Sequence, residues 1–380
     1  MSEIVFWMRR DLRLQDNRGL FEAIKTGLPI KLIFIFDENI LNGLDKYDHR
    51  VTFIWNHLVE LNRQLQKYQT QIILYYGTPE KIWTHILDSN PQVTQVFYNQ
   101  DYESYAIKRD QQISDLAKMR GVKFIGFKDH VIFEPNEVLK NDNSPYEVYT
   151  PFKNKWLLQL NPNLIQKFEI NLDKVKFAAL KSVSEFAVQS LSDIGFSPSL
   201  WPEPKTYEGA ETLSQYGLTR DFPFKSEGTS HLGVHLRVGT ISTRECVRRA
   251  KKSQAEVWLS ELIWREFFIH ILYFFPENAK KCFKSNYEGI LWRYDQDEFN
   301  KWASGNTGYP LVDAGMRELN QTGHMHNRIR MVTASFLTKH LLFHWSHGAE
   351  YFSKKLFDFE LASNNGLLKG AWPININRVA

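Results

Sequence analysis

Two segments place charged and amide side chains inside runs that are otherwise apolar and helix-patterned: Glu261-Leu262-Ile263-Trp264-Arg265-Glu266-Phe267 and Met325-His326-Asn327-Arg328-Ile329-Arg330-Met331. At helical spacing Glu261, Trp264 and Arg265 share one face, and so do Asn327, Arg330 and Met331. A folded chain rarely buries a carboxylate, two guanidiniums and an amide unless they face one another or a ligand. The pattern predicts a polar, aromatic-lined cavity between helices. Glu261 suits accepting a hydrogen bond from a ligand amide or acting as an acid; its local alternative is an ion pair with Arg265, one turn on. Trp264 suits stacking on a planar ligand, or filling a core.

A third segment, Glu227-Gly228-Thr229-Ser230-His231-Leu232-Gly233-Val234-His235-Leu236, sets glycines, two hydroxyls and backbone amides ahead of a helix-like run. Such groups bind phosphate oxygens well; the alternative is an ordinary capped helix start. Tyr216 and Arg220 lie just upstream, within reach of the same ligand. His340, His344 and His347 recur at helical spacing, which raises a metal site. Their only nearby carboxylate is Glu350, and neither an HExxH signature nor a cysteine pair is present, so the reading is a histidine stripe and no metal. No serine or cysteine stands in a nucleophile pattern, which leaves hydrolase chemistry without support.

A chain of 380 residues suits two domains rather than one core. No apolar segment is long enough to span a bilayer, and the N-terminus enters a strand-like run at Ile4 without a signal-peptide pattern. Two cysteines, Cys246 and Cys282, argue against a disulfide framework and for a reducing compartment. The expectation is a cytoplasmic, monomeric, soluble protein with no membrane partner. Net charge is +4, from 47 basic and 43 acidic residues, too small an excess to imply nucleic acid on its own. Arg244, Arg248, Arg249, Lys251 and Lys252 crowd one segment, and Lys280, Lys281 and Lys284 another; each reads as a nucleic-acid contact or as a solvated helix face. Aromatic residues make up 14%, which suits a ligand with flat rings and phosphates as well as a dense core.

Up to about residue 135 the chain alternates short strand patterns (Ile4 to Trp7, Lys31 to Phe36, Gln71 to Tyr76, Gln95 to Tyr98, Val122 to Phe127) with helical ones (Val51 to Tyr68, Glu80 to Asp88, Tyr105 to Arg120). That alternation predicts an α/β domain, a parallel sheet with helices on both faces, whose ligands bind beyond the carboxyl ends of the strands. The first strand is followed by Arg9-Arg10-Asp11-Leu12-Arg13 and not by a glycine-rich dinucleotide fingerprint, which argues against NAD. Residues 136–204 carry turn and linker signals and read as an interdomain connection, with Thr150 to Leu160 a docked segment inside it. From about Glu208 helical patterns dominate, notably Ala255 to Phe275, Pro310 to Gln321 and Asn327 to Trp345, so residues 205–380 read as an all-α domain.

These blocks, read in order from Ile4 to about Gly366, resemble the cryptochrome/photolyase family, and within it the bacterial cyclobutane-dimer photolyases. The resemblance rests on Trp7 to Asn17, Thr150-Pro151-Phe152-Lys153, Arg220-Asp221-Phe222-Pro223, Gly228-Thr229-Ser230, Glu261 to Phe267, Thr307-Gly308-Tyr309-Pro310, Met325 to Met331 and Leu361-Ala362-Ser363-Asn364-Asn365-Gly366. It implies a Rossmann-like antenna domain, residues 1–135, followed by a helical FAD-binding domain. It also implies an activity. Fully reduced FAD, held bent, absorbs blue light and passes one electron to a thymine dimer flipped out of UV-damaged DNA; the cyclobutane ring opens and the electron returns.

By the same resemblance, Tyr216 and Thr229, Ser230, His231, Leu232 and Gly233 hold the FAD phosphates, with Arg265 nearby. Asn327, Arg330, Asp358 and Glu360 line the isoalloxazine and adenine side, and Asn364 sits against flavin N5. An Arg330–Asp358 pair would place positive charge near the reduced ring. Glu261, Trp264, Asn327 and Met331 form the dimer pocket, with Trp264 stacking on the lesion; Arg220 and Arg328 contact DNA phosphates. Asn327 and Met331 favour the cyclobutane type over the (6-4) type, which uses histidine acid-base chemistry. Tyr102-Glu103 resembles the segment that holds a folate (methenyltetrahydrofolate) or other antenna. Trp292 and Trp345 match two members of the family's three-tryptophan electron-transfer chain.

The resemblance also carries departures. After Gly366 the family continues with a Trp-Gln-Trp element and a glycine-rich stretch, whereas this chain reads Leu367-Leu368-Lys369-Gly370-Ala371-Trp372-Pro373. The flavin-proximal tryptophan of the chain and a second tryptophan that clamps the dimer have no counterpart, and Trp372 is out of register. The expectation is a FAD domain truncated after about residue 366, with weakened flavin retention. Two alternative readings follow: a cryptochrome-like blue-light sensor that binds flavin without repair, and an inactive photolyase remnant. A protein of the repair type would be cytoplasmic and associated with the nucleoid when bound to DNA.

Overall fold

The computed structural model describes residues 2–178, 186–203, 205–279, 281 and 289–371, with side chains to residue 366. The five strand patterns fold as β1 (Glu3–Met8), β2 (Ile30–Asp37), β3 (Ile72–Gly77), β4 (Val93–Asn99) and β5 (Lys123–Phe127). They form one parallel sheet in the order β3-β2-β1-β4-β5. The chain therefore winds outward from β1 in one direction and then, from β4, in the other, which puts a topological switch point between β1 and β4. Every residue of β2, and every residue of β1 from Ile4 on, is buried, so both sheet faces are covered. On one face Val5, Trp7, Ile33 and Ile35 pack with Ile82, Trp83, Ile113 and Ala117 of the helices Pro79–Ser89 and Ser104–Met119. Trp7 and Trp83 meet edge to face at 5.4 Å.

Two compact units result. The first comprises Met1–Glu134, Gln159–Leu200 and Val238–Arg248; the second Pro135–Leu158, Trp201–Arg237 and Arg249–Ala380. The stretch 136–204 is thus divided between them, and its first part holds the helix Tyr149–Gln159.

The arginines after β1 are occupied by protein carboxylates. Arg9 reaches Asp110 at 2.5 Å, and Arg13 pairs with the buried Asp129. Arg244 bridges Asp129 (2.7 Å) and Asp16 (3.0 Å), and Arg248 also reaches Asp16 (2.7 Å). Burial alone would push Asp129 up, but Arg13 and Arg244 outweigh it and hold the carboxyl below its ordinary range. This network corrects the solvated-face and nucleic-acid readings for Arg244, which is 3% exposed and buried within the first unit. Arg249 pairs with Glu208 at 2.5 Å in the second unit. Cys246 is buried; Cys282, Lys280, Lys284 and Trp372 lie outside the described residues. No described helix is long and apolar enough to cross a membrane.

The second unit is helical. Its core gathers Trp302, Val312, Met316, Leu319, Met325, Phe343 and Phe352. The expected continuous helix from Asn327 to Trp345 is interrupted. An α-helix, Asn327–Ser335, passes into a π-turn, Phe336–His340, and a separate helix, Trp345–Lys355, follows. Leu342 takes φ of 57° and His344 caps the next helix by accepting from the Ser346 amide, so local backbone chemistry overrides a run that is apolar at helical period.

Candidate functional site

The helix Glu256–Phe274 is the spine of the site. It buries Trp258, Leu262, Ile263, Phe267, Ile269 and Leu272, yet it also buries Arg265, Glu266 and His270, and each of these three finds a tertiary partner. Arg265 donates to Glu360 at 3.2 Å, Glu266 accepts from the Trp156 indole at 2.7 Å, and the His270 imidazole donates to the Pro135 carbonyl at 3.0 Å. The expected local pair of Glu261 with Arg265 is therefore replaced by two long-range ones. Glu261 is ion-paired with Arg220, which caps the helix Ala210–Thr219, and remains partly exposed. Arg220 lies over the Tyr216 ring at 5.6 Å. Burial, reinforced by Glu261, holds the Tyr216 phenol above its ordinary pKa, so it is a neutral donor.

One turn after Glu261, Trp264 is half-buried and lies face to face with Tyr149, centroids 3.5 Å apart. Tyr149 is fixed by donating to the Ser260 carbonyl at 2.9 Å, and Lys153 donates to the Ser260 hydroxyl at 2.7 Å.

The Asn327–Ser335 helix supplies the opposite group. His326 caps it through the Arg328 amide. Asn327 is exposed at its first turn, and Met331 is half-buried one turn on. Arg328 turns outward to Asp221 at 2.7 Å, while Arg330 reaches Asp358 at 2.8 Å and the Met325 carbonyl at 2.7 Å. Burial pushes Asp358 up, but Arg330 outweighs it and keeps it ionised.

Asp358 also meets the phosphate-binding candidate. A Cβ at Gly233 would stand 2.7 Å from the Asp358 carboxylate, so only glycine permits this approach. Beside it Ser230 is buried, accepting from the Trp258 indole at 3.3 Å, and Leu232 is buried too. Thr229 is extended and half-buried. His231 adopts φ of 55° and its ring meets His324 at 4.4 Å. Burial lowers both imidazoles, His324 to about 4.

The helix starting at Leu361 brings in Asn364 and Asn365. It approaches the spine closely at Gly366, where a Cβ would stand 2.2 Å from the Phe268 ring. Among the described residues, Asp358 Oδ1, Asn364 Oδ1 and Asn365 Nδ2 are buried without a hydrogen-bond partner. An unmet buried polar atom costs about 1–3 kcal/mol, so three in one eight-residue stretch fit a polar ligand such as a flavin ring system with its own donors and acceptors.

Other expected residues fall elsewhere. Trp292 and Trp345 both contact His344, each at 5.4 Å between centroids. His340, His344 and His347 form no stripe, since the helix break assigns them to a π-turn, a cap and a new helix. In the first unit, Glu103 and Asp101 hold Arg10 at 3.1 and 3.2 Å, and Tyr102 donates to Glu134 at 3.4 Å. Sequence reasoning passed over Tyr149, Glu266, His324 and Asn365. The aromatic ahead of Thr150-Pro151 and the acidic neighbour of Arg265 were visible clues; nothing local shows that His324 meets His231.

Residues 4–169 match the family model of DNA photolyase, and residues 258–372 that of the FAD binding domain of DNA photolyase. The chain is 33% identical to the deoxyribodipyrimidine photo-lyase of Synechococcus sp., over 96% of this chain and 80% of the relative. Against the same-named protein of Vibrio cholerae the identity is 34%, over 95% and 81%. Among solved structures, a class III photolyase from Agrobacterium tumefaciens superposes with a TM-score of 0.86 at 28% identity, covering 98% of this chain and 80% of that one. An archaeal photolyase from Sulfolobus tokodaii, solved with two FAD molecules, gives 0.80 at 28% identity, covering 97% and 82%.

Proposed function

Because the chain belongs to the cryptochrome/photolyase family, we propose that it opens cyclobutane pyrimidine dimers in DNA by light, through FAD held in its second unit. When bound and fully reduced, FAD supplies the blue-light absorption and the single electron that opens the ring and then returns. The chain's own residues bind, orient and tune. Tyr216 and Thr229 to Gly233 would hold the diphosphate, with Arg265 held nearby by Glu360. Arg330, neutralised in part by Asp358, would set positive charge against the reduced ring. Asn364 would present its free carbonyl oxygen to flavin N5, accepting a hydrogen bond without adding charge.

The observation that carries the reading is the arrangement Arg220–Glu261–Trp264. A carboxylate oriented by an arginine stands one turn from a half-buried indole. Such a pair suits a flat, uncharged lesion with amide edges: Glu261 accepts from a thymine N–H while the open face of Trp264 stacks on the base. Asn327 and Met331 would line the rim. Arg220 and Arg328 would exchange part of their contact with Glu261 and Asp221 for DNA phosphates. Trp292 and Trp345, in contact through His344, would carry electrons. Tyr102 and Glu103, just beyond β4 beside the switch point, would border a folate-class antenna.

The test is regain of 260 nm absorbance by UV-irradiated oligothymidine, under blue light, with the reduced FAD-loaded chain. Regain in light and none in darkness is expected. Stable flavin with no regain would overturn repair in favour of a light sensor.

A further inference from the structure

The phosphate-binding candidate, residues 229–233, turns on a strained residue. His231 holds φ of 55°, a left-handed conformation that a residue with a side chain keeps only where its surroundings impose it. Those surroundings are specific. The His231 ring stands between Tyr207, at 5.4 Å and 87°, and His324, at 4.4 Å and 36°, and it donates to the Lys205 carbonyl. Tyr207 N–H in turn donates to the Ser230 carbonyl at 3.0 Å. Two positions on, Gly233 meets Asp358 at a distance that a Cβ would close to 2.7 Å. His324 therefore holds the middle of the segment and Asp358 its end.

The two holding residues are tied to each other. Phe357 N–H, beside Asp358, donates to the carbonyl of Gly323, beside His324, at 2.8 Å. Arg330 spans the same two turns, bonding Asp358 at 2.8 Å and the Met325 carbonyl at 2.7 Å. His324 is fixed in its own turn by its N–H, which donates to the Thr322 hydroxyl at 3.1 Å. The contacts close into one circuit around residues 229–233.

From this we infer that His324 is a positioning residue for FAD: through His231 it keeps residues 229–233 in the shape that receives the diphosphate, and it does so only as a neutral ring. The inference rests on the placement of the diphosphate proposed above. Arg330 stands beside both imidazoles, and His326 adjoins His324. Among the described residues the carboxylate facing them is Asp358, which Arg330 already bonds. Burial keeps both rings neutral at pH 7. Protonating them would set two more cations against that one carboxylate, and the repulsion would part the rings. The circuit is whole at neutral pH and opens as pH falls.

The experiment measures the dissociation constant of oxidised FAD for the full chain, by flavin fluorescence in the dark, from about pH 7 to about pH 4. For the unaltered chain affinity is expected to fall between the ordinary imidazole value, about 6.5, and the value of about 4 to which His324 is lowered. His324→Phe keeps a flat ring against His231 and takes up no proton. It is expected to bind as the unaltered chain does at neutral pH and to hold that affinity further into acid. His324→Ala removes the ring and is expected to bind about tenfold more weakly at neutral pH, as if the receptive shape were populated about a tenth of the time. Far-UV circular dichroism of the flavin-free variants checks that each is folded, and the His324→Phe profile decides the matter if His324→Ala is not. Unaltered affinity in a folded His324→Ala overturns the inference, and so does a His324→Phe profile as steep as that of the unaltered chain. An unaltered chain whose affinity holds or rises toward acid overturns it too. If the unaltered chain binds no FAD at neutral pH, the flavin reading itself fails and the inference falls with it, a result distinct from the others.

Discussion

Tyr149 lies flat on Trp264, with planes 7° from parallel and centroids 3.5 Å apart. Phe267 and Phe268 meet the same indole at 5.6 and 5.3 Å. One broad face of Trp264 is thereby committed to the protein, and a ligand must use the other. Tyr149→Ala is expected to free the indole and weaken dimer-DNA binding about three- to tenfold, in keeping with a stacked pair worth about 0.5–1.5 kcal/mol. Tyr149→Phe keeps the stack and loses only the bond to Ser260, so it should bind normally. Near-UV circular dichroism and a binding titration separate the two; equal loss in both variants would sink the stacking account.

Arg330 holds one oxygen of Asp358 at 2.8 Å, and the other, Oδ1, is one of the three unmet buried polar atoms of the site. Arg330→Gln leaves Asp358 without its cation and is expected to weaken FAD binding at least about tenfold, since an uncompensated buried carboxylate costs about 3 kcal/mol or more. Arg330→Lys retains charge without the guanidinium fork and should fall between. Flavin fluorescence of protein dialysed to equilibrium reads the outcome, and full retention by Arg330→Gln would remove the pair from the cofactor site.

Burial pulls His270 and His324 down to about 4, with the Arg330 charge adding to the effect at His324. The ordinary imidazole value is about 6.5, so the unfolded chain takes up protons first. Stability is then full above pH 6.5 and declines as pH falls toward 4, by about 2–3 kcal/mol for each group. Urea midpoints of the flavin-free chain between pH 7 and 4 are expected to drop, and His270→Asn with His324→Asn should flatten the slope. An unaltered slope in the double variant would assign the decline to other groups.

Arg244 touches both Asp16 and Asp129 in the buried network of the first unit. Arg244→Ala is expected to cost about 3–5 kcal/mol, because two carboxylates lose a shared cation. Arg249→Ala, which breaks a half-exposed pair with Glu208, should cost under about 1 kcal/mol. Thermal melts of both variants test the contrast, and comparable small losses would show the network to be dispensable.

The sequence by itself determined the elements and the kinds of chemistry. Alternation of period fixed five parallel strands within a residue or two, because strands buried on both faces must be nearly all apolar, as β1 and β2 are. Helical period likewise grouped Glu261 with Trp264, and the family motifs named Arg330 and Asp358. Tertiary structure alone decided the partners. Glu261 had Arg265 one turn away yet pairs with Arg220, and Arg265 turns to Glu360. A local ion pair on a helix is worth only a few tenths of a kcal/mol, so it yields whenever packing buries one partner and demands a better-placed countercharge. The same limit explains the helix broken before Trp345 and the meeting of His231 with His324: periodicity tells which way a side chain faces, and only the packed fold decides what it faces.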